Sequence, residues 1–259
     1  MMNYKTCMMI SRYTKYAGKA LLLGIITAQQ VSAAIALDRT RVIFNDTDPS
    51  VALSISNQNK DLPYLAQAWI EDANGKKIES PLMVLPPLQR IDAGEKSQVK
   101  IQPTSGLNML AQDRETLFYF NLREIPPKPG KPNTLQIALQ TRIKLFYRPA
   151  LISNMHEKQD DLPHLKLTLM RQGGRYVVSN PTPFYVTIAG ARADELSKDS
   201  LKGFTPVMIP PKSSTMLAVS AGDLGMNPVL TYINDYGGRP TLTFGCDKNL
   251  CTVKSSKAG

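Results

Sequence analysis

The stretch "LQIALQTRIKLFYRP", residues 135–149, alternates with a period of two. Leu135, Ile137, Leu139, Ile143, Leu145 and Tyr147 occupy odd positions, interrupted only by Thr141. Gln136, Gln140, Arg142, Lys144 and Arg148 occupy even positions, joined by Ala138 and Phe146. Side chains of an extended chain point alternately to opposite faces, so the pattern predicts a strand with one apolar face. Most strands run about five or six residues, and this one is predicted to reach past its own sheet. What the apolar stripe faces is the question the sequence poses.

Outward from that stretch the chain keeps the same grain. Upstream, "LDRTRVIFN", "SVALSIS", "PYLAQAWIED", "PLMVLPPLQRI", "KSQVKIQP" and "ETLFYFNLREI" read as strands, with breakers such as "NQNKD", "DANGKK" and "DAGEKS" between them. Downstream, "LKLTLMRQ", "RYVVSN", "FYVTIAGARA", "TPVMIPP", "TMLAVS", "VLTYINDY" and "PTLTFGC" read likewise. Helical periodicity is almost absent, which makes the chain all-β, with about seven strands predicted in each half, as in a sandwich. "NMHEKQDDLPH" (154–164) is polar and poor in strand formers, so it is predicted to link two domains, 34–153 and 165–259. "PPKPGKPN" (126–133) is predicted to be the modest loop of a hairpin.

The first 33 residues read as an export signal. Lys5, Arg12, Lys15 and Lys19 precede the apolar run "ALLLGIITA" (20–28), and "VSA" (31–33) has the small-x-small form of a cleavage site. The run is far shorter than the roughly 20 apolar residues that span a bilayer. Cleavage is predicted before Ala34, leaving 27 Lys and Arg against 21 Asp and Glu. The surplus is scattered and no basic run alternates with aromatics, so nucleic-acid binding is a poor reading. A basic cleft for an acidic group stays open. Cys7 leaves with the signal, and Cys246 and Cys251 remain, in "TFGCDKNLCTVK". An even count in an exported chain points to a disulfide across the neck of a hairpin. A metal site is the alternative, with a poor ligand set, since only His156 and His164 accompany the two thiols.

No catalytic signature is present: neither a Gly-x-Ser-x-Gly elbow, nor His-Glu-x-x-His, nor a P-loop, nor a dinucleotide fingerprint. His156 and His164 sit in or beside the linker, where solvated histidines are expected. Trp69 falls in a strand pattern that suggests a core position. Two cations inside strand patterns stand out, Arg41 in "RTRVIF" and Lys144 in the opening stretch. Strand charges usually face solvent or protect edges. If the first and last strands of the domain are neighbours, however, the pair can hold a carboxylate.

The segments "LDRTRVIF", "LPYLAQAWIE", "PPLQRI", "QDRETLFYFNLREIPP", "LQIALQTRIKLFYRP", "NPTPFYVTIAG" and "YINDYGGRP" together resemble the periplasmic chaperones of the chaperone–usher pilus pathway, most closely those of P-type pili. The resemblance runs from about Leu37 to Lys254 and is specific, because "DRETLFYFNLREIPP" is long and distinctive. It implies two immunoglobulin-like β-sandwich domains in a boomerang arrangement, with a subunit-binding cleft between them. It implies a chaperone, not an enzyme, that binds and folds pilus subunits by donor-strand complementation and passes them to the outer-membrane usher without a cofactor. Leu135, Ile137 and Leu139 are then the side chains offered to a subunit's open groove. Arg41 and Lys144 hold the subunit's C-terminal carboxylate. Glu115, Arg148 and Asp235 link the two domains, and Cys246 and Cys251 form a second-domain disulfide. The loop at 126–133 places the chain in the family's short-loop class, which assembles rod-like pili. An uncovered apolar edge also favours self-association of free protein. A secreted immunoglobulin-like adhesin or carbohydrate binder is the alternative reading, and it requires exposed aromatic platforms.

Overall fold

The computed structural model describes residues 33–153, 155 and 163–259; the predicted signal and most of the predicted linker lie outside them. Ten strands precede residue 149: β1 (Ile35–Leu37), β2 (Arg41–Asn45), β3 (Val51–Asn57), β4 (Tyr64–Glu71), β5 (Lys77–Ile78), β6 (Leu82–Leu85), β7 (Leu88–Ile91), β8 (Lys96–Pro103), β9 (Thr116–Ile125) and β10 (Gln140–Arg148). They form two sheets, one ordered β1-β3-β8-β6 and the other β2-β10-β9-β4-β5, with β7 also pairing β4. Inward residues of both sheets, among them Phe44, Leu53, Ile55, Ile70, Ile101, Phe120, Leu122, Leu145 and Tyr147, make one core.

Ten strands replace the predicted seven because two apparent strands each serve both sheets, and because the two-residue β5, which overlaps the end of the predicted breaker "DANGKK", pairs with β4. "LDRTRVIFN" divides into β1, which pairs with β3, and β2, which pairs with β10. "PLMVLPPLQRI" divides at Pro86–Pro87 into β6 on β8 and β7 on β4. Proline has no N–H to give to a ladder, so the pair of prolines is a natural place to change sheets.

The second half contributes β11 (Thr168–Gln172), β12 (Arg175–Asn180), β13 (Val186–Arg192), β14 (Val207–Ile209), β15 (Ser213–Ser220), β16 (Val229–Ile233), β17 (Thr241–Asp247) and β18 (Leu250–Lys257). Their continuous order, β14-β13-β16-β17-β18-β11-β12-β15, encloses a second core that includes Leu169, Tyr176, Val178, Ile188, Leu230, Leu242 and Phe244. His164 is not a solvated linker histidine. It is half-buried at the entrance to this half, stacked on Tyr232 with ring centroids 4.7 Å apart, and burial lowers its pKa.

Cys246 and Cys251 are direct partners across the β17–β18 hairpin and are joined by a disulfide. The loop it closes is short, so in the chain-entropy account it limits the unfolded chain only modestly, by about 2 kcal/mol. Reduction is therefore expected to lower the stability of this half by about 2 kcal/mol, as read from urea unfolding with and without dithiothreitol.

The opening stretch is a strand only in part. β10 begins at Gln140, with Ile143, Leu145 and Tyr147 in the first core. Residues 135–138 have no ladder partner, and the connection between β9 and β10 spans 126–139 rather than the predicted loop at 126–133. The next rung of this ladder would require Pro126 to donate to Ile137, and proline has no N–H. The last rung is the Glu124 N–H to the Leu139 carbonyl, 3.0 Å.

Candidate functional site

β2 and β10 run parallel, with Arg41 and Lys144 as direct partners. Paired residues in register share a face. Val42 and Leu145 therefore turn into the core while Arg41 and Lys144 turn out together, toward the second half. An Arg41 Nη1–H donates to the Ile233 carbonyl at 3.1 Å, and Lys144 Nζ donates to Thr187 Oγ1 at 2.9 Å. Ile233 ends β16 and Thr187 lies in β13, so each cation crosses from one half to the other. Arg41 is buried, and its Nε–H has no partner among the described residues. Burial, and then repulsion from Arg41, pushes the Lys144 pKa down to about 8. Burial also lowers that of Arg41, although Asp235 and Glu115 act in the opposite sense. The result is a partly desolvated pair of cations with one Arg41 N–H unpaired among the described residues, a donor set whose chemistry suits an anion.

Two repeats of the pleat further on, Arg148 leaves the same face of β10. Its Nε and Nη2 both donate to Glu115 Oε1, at 3.0 and 2.7 Å, and its Nη1 donates to Asp235 Oδ2 at 2.9 Å. Glu115 Oε2 accepts from the Tyr185 amide at 2.8 Å, and the Glu115 amide donates to the Pro183 carbonyl at 2.9 Å. The guanidinium also stands over the Phe184 ring, 5.0 Å from its centroid. Arg148 and Glu115 are buried, and Asp235 keeps a third of its side chain in water. Burial pushes the Glu115 carboxyl up, to about 7, against the pull of Arg148 and the Tyr185 amide. Burial works against the charge of Arg148 too, but Glu115 and Asp235 outweigh it and raise its pKa. Between these two charged groups lies Phe146, buried, with its ring 5.5 Å from that of Tyr185. The even face of β10 is thus the seam between the halves.

At the other end of β10 the apolar stripe runs out of its own core. Leu135 is 85% exposed and Ile137 65%, while Leu139 is half-buried. The segment is held at its sides, by Gln136 Nε2 donating to the Pro127 carbonyl at 2.6 Å and Thr134 Oγ1 donating to the Lys131 carbonyl at 2.9 Å. From Leu139 to Lys144 is roughly 17 Å along an extended chain, so the bare stripe and the cations occupy two ends of one line.

Trp69 is not a core residue. Ala68 and Ile70 of β4 face inward, and Trp69 lies half-buried on the outer face, where its indole N–H donates to Glu71 at 2.9 Å and Arg123 stands 5.5 Å from the ring centroid. Among the described residues no group of three or more His, Cys, Asp or Glu is placed to hold a metal ion. Sequence reasoning missed Thr187, Tyr185 and the Ile233 carbonyl as partners. The alternation in "FYVTIAG" places Thr187 opposite Val186 and Ile188, but gives no sign of what it meets.

Family models for the pili and flagellar-assembly chaperone PapD match this chain, the N-terminal domain over residues 34–153 and the C-terminal domain over residues 163–244. The chain belongs to the pilus-assembly chaperone family. It is 49% identical to the probable fimbrial chaperone YfcS of Escherichia coli K12, over 92% of this chain and 93% of that one. It is 47% identical to the chaperone protein PapD of Escherichia coli, over 92% of this chain and 99% of that one. Among solved structures it resembles the SafB chaperone of Salmonella enterica in complex with the SafA pilin, with a TM-score of 0.67, 26% identity and coverage of 83% of this chain and 97% of that chain. Membership settles the class: these are folding and assembly proteins with two immunoglobulin-like domains, not enzymes.

Proposed function

We propose that this pilus-assembly chaperone works in the periplasm, binding pilus subunits by donor-strand complementation and delivering them to the outer-membrane usher. The single observation that carries the reading is the bare stripe: Leu135 and Ile137 stand in water on a segment denied any partner in its own sheet. An apolar stripe of this kind is the complement of a groove that lacks a strand. The cations supply the other end of the fit, with Arg41 and Lys144 anchoring the subunit's C-terminal carboxylate while Leu135, Ile137 and Leu139 fill its groove. Glu115, Arg148 and Asp235 link the two domains beside the cations, whose own partners Ile233 and Thr187 belong to the second domain. Two separate cores and the two family matches support a division into a signal at 1–33, a domain at 34–153, a linker at 154–164 and a domain at 165–259. The basic, apolar and small-residue order of the first 33 residues supports export. Left uncovered, the same stripe favours self-association of the free chaperone.

Truncating one offered side chain tests this. Burying an isoleucine is worth about 1.5 to 3 kcal/mol, so Ile137→Ala is expected to weaken capture of a pilin from the same operon by about ten- to a hundredfold. Because Ile137 is 65% exposed in the free protein, its thermal unfolding is expected not to change. Co-purification from the periplasm and titration of the purified pair measure the first, and calorimetry the second. Unchanged capture by Ile137→Ala would refute the donor role of this segment.

A further inference from the structure

Glu124 is buried, yet it forms no ion pair among the described residues. Its two oxygens go to backbone amides in different parts of the first domain. Oε2 accepts from the Ile35 N–H at 3.0 Å, and Oε1 accepts from the Leu139 N–H at 3.3 Å. Its own amide donates to the Leu139 carbonyl at 3.0 Å, so Leu139 is held on both sides by one residue.

The placement explains why a carboxylate is used. Beyond Glu124 the chain of β9 has one more residue before Pro126 and Pro127, and the ladder cannot continue. A side-chain oxygen takes the place of the missing rung. Meanwhile β1 belongs to the other sheet and is not paired with β10, so no ladder joins Ile35 to Leu139. One carboxylate connects the two, with a charge-assisted hydrogen bond to each.

We propose that Glu124 is a positioning residue for subunit capture: its buried carboxylate fixes the point where the donor segment leaves the sheet and ties that point to the first strand. This rests on the reading of residues 135–139 as the donor segment. Residues 135–138 have no ladder partner of their own, and the chain after Leu139 is paired to β9. A slip of one residue would turn the apolar side chains away from a groove, so a fixed point of departure sets the register in which Leu135 and Ile137 are presented. Glu124 touches no subunit in this scheme and acts through Leu139 and Ile35.

Glu124→Gln is the test, since it keeps the shape and offers one acceptor oxygen where two are needed. Amide exchange by NMR on the whole chaperone is expected to speed up about tenfold or more at Ile35, at Leu139 or at both, and to stay unchanged at Phe120 and Leu145. Capture is read with an operon-encoded pilin, denatured in guanidinium and diluted into chaperone. Its rate is expected to fall about tenfold, with partial recovery in Glu124→Asp. A merely structural role would alter exchange or melting and leave the capture rate of folded protein intact, which would overturn the proposal. So would slower capture with both amides still protected. Ile137→Ala run in parallel separates the two ideas: if it impairs capture and Glu124→Gln does not, the positioning role falls and the donor segment stands. If Glu124→Gln impairs capture and Ile137→Ala does not, the donor segment falls. Should Glu124→Gln fail to fold, Glu124→Asp carries the same test, because its reach is one methylene shorter, and unchanged exchange and capture would overturn the proposal.

Discussion

Replacing Arg41 and Lys144 together by alanine is expected to abolish subunit capture while leaving the chaperone folded. Hydrogen bonds to charged groups contribute about 1.5 to 3 kcal/mol each, so two of them amount to about two to four decades of affinity. The fold gives up little, because two neighbouring cations, one buried and one half-buried, repel one another, and each reaches the second half through a single hydrogen bond. Acidity provides an independent check. In the free protein Lys144 titrates near 8, below its ordinary 10.5. Between those values the unfolded chain holds a proton the folded chain has lost, so the stability of the free protein is expected to rise with pH there. A bound carboxylate draws the proton back. Capture is therefore expected to be full below about 8 and to weaken as the pH rises past it. Lys144→Arg stays charged throughout and is expected to flatten the profile. Titrations of a pilin into both proteins at pH 7 and at about 9.5 measure this, and an equal fall in both would show that Lys144 does not hold the anion. Amidating the C-terminus of a subunit peptide is expected to mimic the loss in wild type and to matter little in the double variant.

Glu115→Ala is expected to be the most destabilising single change at the seam. Taking one partner from a buried ion pair costs about 3 to 5 kcal/mol, because the other charge is left without compensation. Here it would leave Arg148 with only Asp235, and the Tyr185 amide with no acceptor. In a chain of this size that corresponds to a fall in melting temperature of about 10 °C. Asp235→Ala removes a partner that is a third in water, and is expected to cost about 0 to 1 kcal/mol. Calorimetry on the two variants decides it. Equal, small effects would mean that the pair is solvated and that the halves are held by Phe146 and Tyr185 instead.

Much of the fold can be read from alternation alone. Ile143, Leu145 and Tyr147 face the core, as their odd spacing implies, and the even position of apolar Phe146 already hints that both faces are covered at that end. Alternation is blind to which sheet a strand joins, which is why β1 and β2, and again β6 and β7, read as single strands. It is also blind to the neighbour. Pro126 and Pro127 look like an ordinary loop start, although their effect falls on residues 135–138 across the hairpin. The meeting of Arg41 with Lys144 depends on a parallel pairing of strands far apart in the sequence, which no local pattern reports; family resemblance pointed to it. Trp69 and His164 were misplaced for a related reason, since Arg123 and Tyr232 decide their surroundings and neither is near in sequence.

The parallel pairing of β2 with β10 has a consequence for the order of events in the chain's own folding. Its partners lie about a hundred residues apart, and the Ile35–Glu124 bond spans 89 positions. Contacts of such long range form late, because the intervening loop must be closed before any of them stabilises the domain. β10 is the last strand of its half to emerge during synthesis, and until it docks, β2 has no hydrogen-bonded neighbour in its sheet. The strand that completes the first half is continuous with the segment that it leaves bare. Docking β10 therefore does two things at once: it closes the first half and fixes the point from which residues 135–138 extend.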